Sequence, residues 1–136
     1  MSGIVTFPAE KPAWPSASRR WVSRRGVLAA ASPPFAWLGL FYGLAAHLRL
    51  SLGRWPERLN DNPQDWLFNF HFNATGLGFI GILLGLLVVP AATLILLAWP
   101  SRRRLALYPL IFGAATLLVW PLLHLAPASF LYWWWD

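Results

Sequence analysis

Three long stretches of this chain contain no charged side chain: residues 26–48, 72–99 and 105–135. A helix rises about 1.5 Å per residue and the hydrocarbon core of a bilayer is about 30 Å thick, so each stretch is long enough to cross as a helix. Lipid is therefore the expected solvent for most of the side chains. The expected fold class is all-α: an integral membrane protein with three transmembrane helices and a short interfacial helix before the second span. Of the 136 residues, 57% are hydrophobic. What remains outside the spans is a tail, one loop and a turn, too little for a water-soluble core. The sequence thus predicts a flexible basic tail over residues 1–25 and one membrane domain over residues 26–136, with no separate enzymatic domain.

The chain has no cysteine. Disulfides, thiolate metal sites, iron–sulfur ligation and covalent c-type haem attachment are excluded. The net charge of +6 does not point to nucleic acid, because the basic residues flank the spans, where membrane topology places them. All but one of them are arginine, and with the many Ala, Gly, Pro and Trp this favours a bacterial inner membrane.

Residues 1–18 are rich in Pro, Ala and Ser without a sustained period and read as a flexible tail. Arg19, Arg20, Arg24 and Arg25, with Trp21 among them, form a flank suited to anionic lipid head groups. Ser32, Pro33 and Pro34 interrupt the first span. They make a good helix start, with a cap and a first-turn proline. The preferred first helix therefore runs from Pro33 to Leu50, with residues 27–31 as a short broken or interfacial lead. One kinked helix from Gly26 is the alternative. In the first loop, Asn62, Pro63, Gln64 and Asp65 resemble another start, which predicts a short surface helix from Pro63 leading into the second span. Residues 66–73 alternate apolar and polar, yet a lone strand has no partner in lipid, so helix is favoured. The second span, residues 74–99, is long enough to require tilt, a bend near Pro90 or protrusion. A basic turn of Arg102, Arg103 and Arg104 precedes the third span, residues 105–125. The aromatic end, Tyr132 to Trp135, suits an interfacial belt.

Basic residues set the expected orientation. The tail and the second turn hold eight, and the first loop holds three, Arg49, Arg54 and Arg58. The tail should be cytoplasmic and Asp136 outside, in a multi-pass plasma-membrane protein. Ser23, Arg24 and Arg25 followed by Gly26, Val27 and Leu28 partly match a twin-arginine export signal, but no soluble domain follows for export. Asn73-Ala74-Thr75 matches a glycosylation acceptor at the membrane edge and is read as chance.

Two stripes of small residues stand out. Ala36, Gly39, Gly43 and Ala46 share one face of the first helix, and Ala74, Gly78, Gly81 and Gly85 share one face of the second. Small residues let helix backbones approach closely, and dispersion then drives association in lipid. The expected use is packing of the first two helices on each other; the other use is docking onto a partner subunit. The three histidines lie near these faces: His47 relative to Ala36, His71 relative to Gly78 and His124 relative to Gly113 are each offset by about 20°. A height count along the helices brings His47 and His124 to one level and puts His71 higher, which makes His47 and His124 the candidate pair for b-type haem or a metal. No carboxylate lies inside a span, so a carboxylate proton relay is not expected. Ser32, Thr75 and Ser129 have no base at a defensible spacing. The expected function is that of a small non-catalytic accessory or interaction subunit of a membrane assembly. A haem- or metal-binding protein and a component of a small oligomeric transporter are the alternatives.

Overall fold

The computed structural model describes residues 23–57 and 61–136. Arg19 and Arg20, most of the proposed tail, and Arg58 lie outside the described residues. Four α-helices follow in order: α1 Arg24–Leu52, α2 Trp66–Ala98, α3 Leu107–Leu123 and α4 Ala128–Trp135. A 3-10 turn, Arg103–Ala106, leads directly into α3. Three helices are long and apolar enough to cross a membrane: α1, α2 and the combined segment Arg103–Leu123. The all-helical class and the three apolar helices thus stand.

The first helix corrects the preferred start at Pro33. It begins at Arg24, capped by Ser23, whose hydroxyl accepts from the Gly26 amide, and it continues through Pro33 and Pro34. Pro33 brings no N–H to the Ala29 carbonyl. The Ser32 hydroxyl donates to that oxygen instead, at 3.2 Å. A freed carbonyl inside an apolar helix is costly, and a neighbouring hydroxyl that covers it lets the helix continue. The end of α1 follows ordinary rules. Gly53 adopts φ 69°, a left-handed cap that favours glycine. Arg49, in the last turn, donates to the Gly53 carbonyl at 2.6 Å and lies over the Trp55 ring at 5.7 Å.

The loop after α1 is closed by charge. Arg54 meets Asp61 at 3.0 Å and Glu57 at 3.5 Å, and the hydrogen bond to Asp61 holds the guanidinium above its ordinary pKa. The surface helix expected from Pro63 does not form: residues 61–65 are not helical. The start of α2 is set by Asp65, whose carboxylate accepts from the Phe68 amide at 2.6 Å. An acid at this end also meets the positive end of the helix dipole. Residues 66–73 are helical, as the absence of a partner strand predicts.

α1 touches both α2 and α3, and α2 touches α3, giving a three-helix bundle. On α1 the buried stripe is Trp37, Phe41, Leu44 and Leu48; on α2 it includes Phe68, Thr75 and Ile82, seven residues apart. Such a seven-residue repeat is the seam of helices crossing at a small angle. Outside that seam α2 is apolar all round, with Leu77, Ile80, Leu84, Leu87 and Leu94 facing outward. The buried threonines need no partner helix. Thr75, Thr93 and Thr116 each donate to the carbonyl four residues back, on His71, Val89 and Phe112.

The aromatic end does not form a simple belt. α4 folds back against the bundle, burying Phe130 and Trp133. Phe130 meets Phe41 at 5.0 Å between ring centroids, Trp133 meets Phe68 and Phe72, and Trp135 meets Phe79 at 5.6 Å. The Trp133 indole N–H donates to Asn62 of the loop at 3.2 Å. Tyr132 keeps the exposed position that a belt residue takes.

Candidate functional site

The polar side chains of the bundle gather toward one end, where α1 finishes and α2 begins. Three hydrogen bonds cross between helices there. The Trp37 indole N–H donates to the Thr75 carbonyl at 2.9 Å, the Tyr42 hydroxyl donates to the Leu122 carbonyl at 2.6 Å, and His71 Nε2 lies 3.1 Å from the Leu40 carbonyl. A carbonyl only accepts, so that contact makes Nε2 the protonated ring nitrogen of His71. Together they tie α1 to α2 twice and α1 to α3 once. In lipid, apolar surface gives no net drive between helices, and such bonds and close packing would hold the bundle there.

The histidine that meets His47 is His71, with ring centroids 5.9 Å apart. This corrects the height count that places His71 above the other two. With α1 continuous, His47 stands about 35 Å from Arg24 and His71 about 40 Å from Ala98, a difference of about one helical turn, which a count along separate helices does not resolve. His47 is mostly buried, beside Phe68, and its Nε2 lies 3.8 Å from Asp65 Oδ2. Asp65 therefore faces both the α2 amides and an imidazole, and it forms an ion pair with His47 only when that ring is protonated. His124 has a different setting. It is exposed at the end of α3, meets Trp120 edge-on at 5.4 Å, and lines a pocket of about 220 Å³ with Leu131, Tyr132 and Trp135 of α4. Among the described residues, no three His, Cys, Asp or Glu side chains are grouped to hold a metal ion.

The glycines of the two stripes are used unequally. A Cβ at Gly78 would meet Trp37 Cδ1 at 2.7 Å, one at Gly85 would meet Phe112 at 2.6 Å, and one at Gly43 would meet the His71 ring at 3.1 Å. These glycines are sockets for rings, not flat faces for another backbone. Gly39 and Gly81 face open space. The packing of the Gly39/Gly43 face on the Gly81/Gly85 face is therefore replaced by rings seated in notches. Gly26, outside both stripes, is a fourth socket, filled by the Tyr108 ring.

Arg24, Arg25 and Arg102 to Arg104 mark the opposite end. Arg24 and Arg25 are exposed on the first turn of α1. Arg102 lies over the Trp99 ring at 4.9 Å, and Arg103 Nε donates to the Leu97 carbonyl at 3.0 Å. Arg104 is exposed at the start of the third apolar segment. Trp37, Tyr42 and Asp65 make the bonds that position these elements, and sequence spacing does not single out Trp37 or Tyr42. Asp65 had a usable signal as an acid just before an apolar helix. Trp37 and Tyr42 had none, because their partners are backbone carbonyls. Comparison with protein-family models, with curated proteins and with solved structures finds no match to this chain.

Proposed function

We propose that this protein is a non-catalytic accessory or interaction subunit of a plasma-membrane assembly, with its N-terminus on the cytoplasmic side. The observation that carries this reading is the split among the glycines. Gly43, Gly78 and Gly85 are filled from within the chain, while Gly39 and Gly81, each belonging to a GxxxG pair with one of them, stay open to the outside. An open notch on an apolar helix suits the close approach of another helix. The site chemistry supports the same reading. Its polar groups form cross-links between helices, and among the described residues no hydroxyl is hydrogen-bonded to a histidine or carboxylate side chain.

The test is association in a mild detergent. The wild-type protein should elute with a partner or as a defined oligomer. Leu at both Gly39 and Gly81 should release it while the helical content stays the same. A wild-type chain that runs alone, with a double variant that behaves identically, would remove the reading. A visible absorption band in the purified protein would instead favour a haem role for the histidine end. Reporter fusions after Asp136 and near Ser101 test the orientation; the first should lie outside and the second inside.

A further inference from the structure

Below the polar cross-links the bundle opens. A groove of about 330 Å³ lies between α1, α2 and α3, walled by residues that include Ala29 and Pro33, Gly85 and Ala92, and Tyr108 and Phe112. The walls are apolar, and nothing in them would hold water in place. Small residues from α1 and α2 leave it as a slot, whereas at the other end rings fill the comparable spaces.

The slot leads to the arginines. Arg25, Ala29 and Pro33 are four residues apart on α1 and therefore lie on one ridge, with Arg25 a turn beyond the wall. The Tyr108 ring packs into the Gly26 notch, which places the residue next to Arg25 against the α3 wall. Arg103 is held at the end of α2 by its bond to the Leu97 carbonyl. Arg25, one turn before Ala29, and Arg103, bonded near the end of α2, thus stand on the side of the bundle toward which the slot runs. Among the described residues the carboxylates are elsewhere. Glu57, Asp61 and Asp65 lie in the loop at the other end, and Asp136 follows α4.

We infer that the slot seats a single anionic phospholipid, with an acyl chain along the Ala29, Pro33 and Ala92 walls and its phosphate on Arg25 and Arg103. A guanidinium offers paired N–H donors that match phosphate oxygens. A net negative lipid is preferred over a zwitterionic one, because the choline or amine of the latter brings a cation to a mouth already crowded with cations. This goes beyond the accessory role and does not depend on which partner docks.

The experiment uses the full chain in nanodiscs of equimolar phosphatidylglycerol and phosphatidylcholine, released for native mass spectrometry. The expected result is one retained phospholipid, several-fold enriched in phosphatidylglycerol. Ala92→Phe, which fills the slot, should lose it. Ala29→Leu serves the same purpose should the first variant fail to fold by circular dichroism. Arg25→Gln with Arg103→Gln should keep a lipid but bring the two head groups to equal occupancy. No retained lipid, equal retention of both lipids by the wild type, or unchanged retention in a folded slot-filling variant would each overturn the proposal.

Discussion

The two ends of this bundle are built from the same kinds of helix and are held together differently. At the histidine end, three side-chain hydrogen bonds cross between helices, and Phe41, Phe130, Trp133 and Trp134 interlock around α1. At the arginine end the helices are lined with Ala, Gly, Val and Pro, and an open groove lies between them. Both ends contain glycine notches, so the glycines do not make the difference. What differs is whether the ring in the notch is fixed by something else. Trp37 is 5% exposed, and its indole is bonded to the Thr75 carbonyl. Phe112 borders the groove and has room beside it.

That difference can be tested by adding the same methyl group at each end. Gly78→Ala should have the largest effect, a loss of about 1–3 kcal/mol, because Trp37 cannot move aside without breaking its bond. Reversible unfolding in mixed micelles would measure it, and a near-neutral result would mean that the histidine end is looser than its geometry. Trp37→Phe keeps an aromatic ring on α1 but removes the N–H and the five-membered ring that faces Gly78. It should cost about 1–3 kcal/mol, less than about 2 of it from the lost interhelical hydrogen bond and the rest from lost packing, and a double variant with Gly78→Ala should be less than additive. Gly85→Ala should cost less than about 1 kcal/mol despite its equally short contact, since Phe112 can swing into the groove. A cost matching that of Gly78→Ala would erase the contrast. Gly81→Leu should change the stability of the isolated chain by no more than about 0.5 kcal/mol, as expected for an open position. A larger loss in detergent would show that Gly81 is covered within the chain.

The three long apolar helices were legible because a long uncharged run satisfies its own backbone only as a helix when water is excluded. The continuity of α1 was not. Rules for proline assume that a lost backbone bond is paid in water, and here Ser32 covers the Ala29 carbonyl from within the helix. Asp65 was legible as an acid near a helix start, but the start moved from Pro63 to Trp66, since Asp65 itself is the cap. The buried faces were harder. A helix apolar on every side carries no period that separates core from lipid, so a stripe of glycines marked close approach without saying what approaches. That His71 fills Gly43 and that α4 folds onto Phe41 and Phe72 depend on non-local geometry. The same holds for the histidine pair. Small errors in helix start and end, at about 1.5 Å per residue, are enough to exchange one partner for another.

The lengths of the tied helices carry one more consequence. At about 1.5 Å per residue, the 33-residue α2 spans roughly 50 Å and the 21-residue third segment roughly 32 Å. A free helix of the longer length would relieve its mismatch with a membrane by leaning over on its own. α2 lacks that freedom, because Trp37 and His71 pin it to α1, and Tyr42 pins α1 to α3. In a bilayer, any mismatch of α2 would then fall on the whole bundle, which would lean as one body or deform the leaflets around it.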